Sequence, residues 1–188
     1  MVFRYDFFTS QAKPHFEKYL TKYKEQSNIY FLEIGAFEGM GTVWLVNNIL
    51  TNSTSKIMTV DTFEGGEDLE LYHLRDSLYS VFIENIKGLE SKIDIIKGSS
   101  QELLRIDSMQ NHRFDFVYID GSHRSQNVML DAIQSFRLLK KGGLLAFDDY
   151  PWKWQDDGPG IAIDTFLIMY AKEIKILSKD WQVWIEKL

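Results

Sequence analysis

The sequence predicts an α/β fold in which helices wrap a parallel sheet. Two observations support this prediction: apolar, β-rich runs of about five residues recur along the chain, and helix-length segments separate them. Most of these runs are continuously apolar, as expected of strands that are buried on both faces. The final pair of runs is joined by only a short segment, which predicts a reversed strand at the end of the sheet.

Seven runs are predicted as strands. They are Ile29–Ile34, Lys56–Val60, Ile93–Lys97, Phe114–Ile119, Leu144–Phe147, Ile174–Leu177 and Gln182–Ile185. The first five are expected to be parallel. Residues 178–181 alone separate the last two, and a parallel return needs a crossover of about a dozen residues, so the last two are expected to be antiparallel.

Helices are predicted between these strands, at about 12–26, 41–50, 69–87, 100–107, 124–139 and 160–172. The 124–139 segment has the clearest pattern. One of its faces carries Val128, Ala132, Ile133, Phe136 and Leu139. Lys140 and Lys141 are expected in its last turn, with Gly142 and Gly143 ending the helix.

Composition limits the number of domains and the chemistry. The 188 residues include three Pro and no low-complexity linker, so we expect one domain over 1–188, with 1–28 as an N-terminal helical cover and 29–188 as the core. The absence of Cys excludes disulfides, Cys-ligated metals and thiol nucleophiles. The aromatic residues Phe7, Phe8, Phe16 and Tyr19 are expected in the N-terminal helix, covering the crevice or forming a homodimer contact.

Charge and hydropathy restrict the partners. A net charge of -6 disfavours a protein that binds nucleic acid by neutralising phosphates, and it fits a small neutral or cationic ligand better. No apolar run approaches the ~20 residues of a membrane helix, and the N-terminus lacks an apolar signal segment. We therefore expect a soluble, cytoplasmic protein without nucleic-acid or membrane partners.

The first strand leads into a glycine-rich loop with the pattern E-x-G-x-x-x-G-x-G. Gly35, Gly39 and Gly41 allow a sharp turn and close approach of the backbone to a ligand. Phe37 occupies the position of the second glycine in the dinucleotide fingerprint, which disfavours pyrophosphate binding. The alternative is a turn that needs its glycines for geometry alone.

Polar residues follow the second and third strands. Asp61 ends the second strand, where a carboxylate can accept both hydroxyls of a ribose. Alternatively, Asp61 caps the next turn. Ser99 and Ser100 follow the third strand, where an adenine edge would lie, and Ser100 is expected to cap the next helix.

The segment FDFVYIDGSHRSQNVMLDAIQSFRLLKKGGLLAFDDY (114–150), with the glycine loop and Asp61, resembles the class I S-adenosylmethionine-dependent methyltransferases. It is most similar to the small catechol O-methyltransferase type, the related sugar O-methyltransferases and methyltransferase domain family 24. The resemblance spans about 29–188. It implies a doubly wound, Rossmann-like sheet of seven strands, in the order 3-2-1-4-5-7-6 with strand 7 antiparallel, and cofactor along the carboxyl ends of strands one, two and four.

The resemblance also assigns cofactor contacts. Glu33 and Gly35 would lie beside the methionine moiety of S-adenosylmethionine, Asp61 would hold the ribose and Ser99 would border the adenine. The full set of implied cofactor-binding residues is Glu33, Gly35, Ala36, Phe37, Gly39, Asp61, Thr62, Ser99 and Asp120.

Asp120, Asp148 and Asp149 fall where metal-dependent relatives place three oxygen ligands. Carboxylates that converge at neighbouring strand ends repel, and raised pKa values or a divalent cation must relieve that repulsion. Oxygen-only ligation selects Mg²⁺, Mn²⁺ or Ca²⁺. Asp148 and Asp149 can share an ion only if the strand has ended by Phe147 or Asp148, because successive strand residues point to opposite faces. The alternative is a solvated loop start.

His123 follows Asp120 by three residues, where catechol-type relatives carry a lysine. In the first turn of a helix, with Ser122 as N-cap, its imidazole would stay neutral and could accept a proton near pH 7. Alternatively it packs at the helix start. Asp120 and His123 are therefore the predicted catalytic residues.

The predicted function is methyl transfer from S-adenosylmethionine to the hydroxyl of a small acceptor, assisted by Mg²⁺ or a similar ion. Trp152 and Trp154 would form an acceptor wall or lid, and Glu64–Glu70 is a second lid candidate. Two alternatives stay open: a metal-independent methyltransferase acting on nitrogen or nucleic acid, and a domain that binds S-adenosylmethionine without turnover.

Overall fold

The protein is built around one seven-stranded sheet of order β3-β2-β1-β4-β5-β7-β6, which a computed structural model describes over residues 1–66 and 73–188. The strands are β1 (Tyr30–Ile34), β2 (Lys56–Asp61), β3 (Ile93–Lys97), β4 (Phe114–Ile119), β5 (Leu139–Phe147), β6 (Ile174–Lys179) and β7 (Val183–Lys187). β1 to β5 pair in parallel, and β7 is antiparallel to both β5 and β6. The predicted fold class, strand order and reversed strand are confirmed.

Helices connect the strands. They are α1 (Ala12–Leu20), α2 (Met40–Asn48), α3 (Arg75–Asn85), α4 (Ser100–Leu103), α5 (Asp107–Gln110), α6 (Ser125–Leu138) and α7 (Pro159–Met169). The predicted 100–107 helix is wrong, because two short helices replace it. The start of the predicted 69–87 helix, and the part of Glu64–Glu70 after Gly66, lie outside the described residues.

The boundary between α6 and β5 also differs from the prediction. Residues 140–143 were expected to end the helix, but β5 begins already at Leu139, whose backbone is extended. The ammonium of Lys140 donates to both carboxylate oxygens of Asp115, at 2.9 and 2.8 Å, which joins β5 to β4. Gly142 is part of this strand, with φ +75°. Local helix-end signals are overridden here by pairing in the sheet.

Apolar clusters cover both faces of the sheet, as the continuously apolar strands predict. On the face that α1 covers, the fully buried Trp184 of β7 stacks on Phe116 of β4 with ring centroids 5.2 Å apart. Phe16 of α1 meets the same indole edge-on at 5.8 Å. Across the two described ranges, no helix combines the length and apolarity needed to cross a membrane.

The residues before α1 form a strap, residues 2–8, against the loop that follows β1. Both the backbone N–H and the guanidinium of Arg4 donate to the buried carboxylate of Glu38. Asn85 of α3 exchanges two hydrogen bonds with the backbone of Val2. Phe7 and Phe8 therefore lie in this strap. They had been expected in the N-terminal helix, so that prediction is wrong for these two residues.

Candidate active site

A cleft of about 580 Å³ opens at the carboxyl ends of β1, β2 and β4. In the strand order, β1 lies between β2 and β4, so the chain leaves β1 toward one side and returns on the other. Ligands of open α/β sheets bind at such a switch point. The predicted residues that line the cleft are Glu33, Gly35, Ala36, Phe37, Asp61, Thr62, Ser99, Asp120, His123 and Asp149.

Two predicted residues do not line the cleft. Gly39 instead precedes α2 with φ +84°, and a Cβ there would meet the ring of Phe82 at 2.9 Å. Asp148 lies behind the cleft wall, where it is 8% exposed. Tyr5 and Phe7 of the strap do line the cleft, so the segment before α1 covers part of it.

At Gly35 the glycine loop contacts the end of β4, the strand that Asp120 follows. A Cβ on Gly35 would lie 2.0 Å from the carbonyl oxygen of Asp120, and the residue has φ +84°. Both the close approach and the backbone conformation require glycine. The loop that follows β1 is therefore seated directly on the end of β4.

Asp61 orders the glycine loop from the neighbouring strand. Its Oδ2 accepts hydrogen bonds from the backbone N–H groups of Ala36 at 2.6 Å and Phe37 at 3.0 Å. Its Oδ1 accepts from the N–H of Phe63 at 2.6 Å. A carboxylate has about four acceptor positions, so this arrangement leaves room for roughly one ribose hydroxyl. Sequence reasoning gave Asp61 a ligand role, with capping of the next turn as the alternative; the bond from Phe63 is that cap, and the two bonds to the glycine loop were missed.

Glu33 is an almost fully buried acid at the end of β1. Its Oε2 accepts hydrogen bonds from the hydroxyl of Thr42 and, at 3.0 Å, from that of Thr59. Burial raises the pKa of Glu33 to about 7, and the negative charge of Asp61 adds to the effect, whereas the two hydroxyls oppose it. Glu33 can therefore gain or lose a proton near neutral pH.

The far end of the cleft is built by the residues after β3. The hydroxyl of Ser99 donates to Oε1 of Gln101 at 2.8 Å, and Nε2 of Gln101 donates to Ser100 and to buried Asp131. Ser100 is the first residue of α4 and does not cap it, contrary to the prediction. Ser99 holds the N-cap position, but its side chain makes no capping hydrogen bond to the helix backbone. Gln101 lines the cleft and was missed, because no sequence pattern singles it out.

Asp120, Asp148 and Asp149 gather at the carboxyl ends of β4 and β5. β5 ends at Phe147, which confirms the condition under which Asp148 and Asp149 can act together. The cleft walls remove hydration from Asp120, and the charges of Asp148 and Asp149 repel it, so its pKa lies well above the usual range. Burial, and then the charge of Asp149, raise the pKa of Asp148 to about 6. The predicted repulsion is therefore present.

These carboxylates have the right donor chemistry for a hard divalent cation, since all the donors are oxygens and their charges are not balanced. They do not form a ready-made coordination sphere: within 1–66 and 73–188, no three His, Asp or Glu side chains are arranged to hold a metal. Asp148 accepts hydrogen bonds from Tyr118 and Gln182, and Asp149 engages His123. The charges fit a cation, and binding one would require Asp120 and Asp149 to turn toward Asp148, whose carboxylate is held by Tyr118 and Gln182.

His123 meets this cluster through Nε2, which lies 2.9 Å from Oδ2 of Asp149. The indole of Trp152 covers the imidazole, with ring centroids 4.3 Å apart. The predicted position of His123 in the first turn of a helix is wrong, because α6 begins at Ser125. Ser122 is likewise not the N-cap; its hydroxyl accepts from the backbone N–H of Arg124 at 3.2 Å. A carboxylate, and not a helix dipole, sets the charge environment of His123.

A second cavity of about 330 Å³ shares His123 and Trp152 with the cleft. Its remaining wall comes from Arg124 and from a short turn, 154–157, closed by backbone pairing between Trp154 and Asp157. The side chain of Trp154 is 41% exposed. The two predicted tryptophans therefore lie beside His123, on the side away from the glycine loop.

This strand order, with a cleft at the β1–β4 switch point bounded by acids from β1 and β2, defines the class I S-adenosylmethionine-dependent methyltransferases. A family model described as a methyltransferase domain matches residues 32–150, which is more than half of the chain. The chain therefore belongs to this methyltransferase domain family, and the resemblance noted in its motifs is confirmed.

A curated relative is the uncharacterized protein R132 of Acanthamoeba polyphaga mimivirus, which is 24% identical over 131 residues. The match covers 69% of this chain and 56% of R132. The chain thus spans little more than half the length of this relative.

Solved structures share the fold at low sequence identity. A Clostridium thermocellum protein with the provisional description of rRNA methylase has a TM-score of 0.70 at 14% identity, covering 94% of this chain and 97% of its own. The MycE methyltransferase of the mycinamycin pathway, in complex with Mg, S-adenosylhomocysteine and mycinamycin VI, has a TM-score of 0.65 at 19% identity, covering 93% and 48%. The O-methyltransferase of Bacillus cereus, in complex with S-adenosylhomocysteine, has 0.62 at 18%, covering 84% and 74%.

Proposed function

We propose that this chain transfers the methyl group of S-adenosylmethionine to a hydroxyl of a small acceptor, assisted by a divalent cation. The proposal rests on one observation above all: Asp120, Asp149 and His123 line the cleft together, with the carboxylate of Asp148 buried behind them, and His123 also lines the second cavity. The MycE structure, which contains Mg and S-adenosylhomocysteine, supports the same combination of ligands.

Asp120, Asp148 and Asp149 would hold the cation. When bound, such an ion supplies Lewis-acid chemistry that lowers the pKa of an oxygen ligand. A bound cation would compensate the mutual repulsion of the three carboxylates, and this compensation would favour cation binding. Oxygen is the acceptor atom that this chemistry suits best, because hard cations prefer oxygen ligands over neutral nitrogen or sulfur.

Nε2 of His123 faces the carboxylate of Asp149, which only accepts hydrogen bonds, so Nε2 carries the proton of the neutral ring and Nδ1 would take the proton of the acceptor hydroxyl. The carboxylate would then stabilise the imidazolium that forms. The acceptor oxygen forms a bond to the methyl carbon as the bond from that carbon to sulfur breaks, and the electron pair returns to sulfur to give S-adenosylhomocysteine. Alignment of the two reactants can contribute about 7–11 kcal/mol to lowering the barrier, so the side chains need only orient and deprotonate.

The cofactor would lie along the cleft, with its amino acid part near Glu33 and Gly35, its ribose at Asp61 and its adenine near Ser99. The acceptor would then occupy the second cavity, against Trp152 and Trp154. This placement puts the acceptor next to His123, which lines both spaces. The strap residues Tyr5 and Phe7 would exclude water from the other side of the cleft.

Calorimetric titration with S-adenosylhomocysteine, with and without Mg²⁺, tests cofactor and cation together. We expect binding of the product in both conditions, and measurable Mg²⁺ binding to the complex. A transfer assay with labelled S-adenosylmethionine and a panel of hydroxylated acceptors should lose its signal when a chelator is added. No binding of S-adenosylhomocysteine contradicts the proposal, and transfer that is indifferent to chelator favours a metal-independent methyltransferase.

A further inference from the structure

Side chains from two neighbouring strands hold the carboxylate of Asp148. The antiparallel pairing of β5 and β7 puts Phe147 opposite Val183, so the next residues, Asp148 and Gln182, also face each other. Nε2 of Gln182 donates to Oδ2 of Asp148 at 2.9 Å, and the hydroxyl of Tyr118 donates to the same oxygen. All three side chains are buried.

The direction of the Gln182 amide is set by Trp184, two residues further on the same strand. An indole N–H can only donate, and it donates to Oε1 of Gln182 at 2.9 Å. The NH₂ end of the amide must therefore face Asp148. Trp184 is itself immobilised by full burial between α1 and β4. The buried Trp184 thus orients the amide of Gln182, and this amide orients the carboxylate of Asp148.

We propose that Gln182, together with Tyr118, is a positioning residue for divalent-cation binding: the two donors hold the Asp148 carboxylate in one orientation. This inference rests on the proposed function. It extends the site to β7, which lies outside the residues that the family model matches. Groups that orient ligating carboxylates typically change metal affinity about 10–100-fold when removed.

Substitution of each donor by a side chain of similar size tests this proposal. Gln182→Met removes the amide, and Tyr118→Phe removes the hydroxyl while keeping the ring. Mn²⁺ binding to the S-adenosylhomocysteine complex, followed by the electron paramagnetic resonance of the free ion, is expected to weaken about 10–100-fold in each variant. Affinity for S-adenosylhomocysteine should stay within about threefold of the parent, because Gln182 does not line the cleft and Tyr118→Phe keeps the ring that does.

Gln110→Met is the matched control. Gln110 of α5 donates its amide to the carbonyl of Leu104 at 2.8 Å, before the amino end of β4 and away from the carboxylates. Gln110→Met also removes one side-chain amide, but it should leave the Mn²⁺ affinity unchanged.

The outcomes separate the two proposals. If the parent protein binds S-adenosylhomocysteine but no Mn²⁺, the result contradicts cation assistance in the proposed function, and it also contradicts the positioning role. Parent protein that binds Mn²⁺ no better than Gln182→Met or Tyr118→Phe overturns the positioning role alone. If Gln182→Met does not fold, as judged by loss of S-adenosylhomocysteine binding, Tyr118→Phe decides the question in the same way.

Discussion

Nε2 of His123 lies 2.9 Å from Oδ2 of Asp149, and both side chains are largely buried. Trp152 covers the imidazole, and His123 lines both cavities. This contact joins the residue assigned to proton transfer with one of the three carboxylates assigned to a cation. Since Asp149 follows β5 and His123 follows β4, the contact also joins the two strand ends that carry the chemistry.

Replacement of His123 by Gln should lower the methyl-transfer rate by about 10²–10⁴-fold, which is the usual contribution of a general base. Affinity for S-adenosylhomocysteine should change little, because Gln keeps a polar side chain of similar size beside Asp149. His112→Gln is the matched control, since His112 stacks on Phe114 at the opposite end of β4. An unchanged rate in His123→Gln would remove the proton-accepting role.

Asp148→Asn should abolish the stimulation of activity by Mg²⁺ while leaving S-adenosylhomocysteine affinity within about threefold of the parent. The substitution removes one charge from the carboxylate cluster but leaves the glycine loop untouched. Calorimetry with Mg²⁺ and with S-adenosylhomocysteine measures the two affinities separately. Equal loss of both affinities would contradict the assigned role.

The stability of the cofactor-free protein should depend on pH through Glu33. Its pKa is about 7 in the folded chain against an ordinary 4.5, so the folded state retains a proton that the unfolded chain releases. The stabilisation is complete below pH ~4.5 and is lost as the pH rises through about 7. Glu33→Gln removes this titration, so its stability relative to the parent should increase by about 2 kcal/mol between pH 5 and pH 8.

Urea unfolding of both proteins at these two pH values measures this difference. Glu90→Gln, on the surface, serves as control and should show no such trend. Parallel pH dependence in the parent and Glu33→Gln would show that Glu33 does not titrate in this range.

Gly35→Ala should cost about 3 kcal/mol or more of stability and abolish S-adenosylhomocysteine binding. The added methyl would lie 2.0 Å from the carbonyl oxygen of Asp120, so the loop or the end of β4 must move. Gly88→Ala shares the positive φ but has no atom within 4 Å of its Cβ, so it should cost only about 1 kcal/mol and leave binding intact. Similar effects of the two substitutions would indicate that backbone conformation alone matters.

The sequence predicts those features that follow from local pattern. Alternating apolar runs and helix-length connections locate the strands, and the short connection before the last strand predicts its reversal. Asp148 and Asp149 are recognised through the resemblance of their segment to the methyltransferases, and the apolar run before them places them at a strand end. Lys140 to Gly143 show the limit of such reasoning: their residue types indicate a helix end, yet they lie in β5, where Lys140 forms an ion pair with Asp115 of β4.

The contacts that support the site depend on register and could not be read from residue types. Gln182 faces Asp148 only because β7 pairs with β5 at one particular offset. The direction of its amide depends on Trp184, which in sequence is indistinguishable from any other core tryptophan. Likewise, the two hydrogen bonds that Asp61 accepts from Ala36 and Phe37 require the exact path of a loop whose glycines permit many conformations.

Because Gly35 packs against the carbonyl of Asp120, few positions in these two loops can be varied in directed evolution. Substitutions in either loop would disturb both the bound methyl donor and the reaction centre, because the two backbones are in direct contact. The turn at 154–157 borders the second cavity without that constraint. Libraries intended to alter acceptor choice should therefore be concentrated on this turn, where new side chains can be sampled while the donor stays in place.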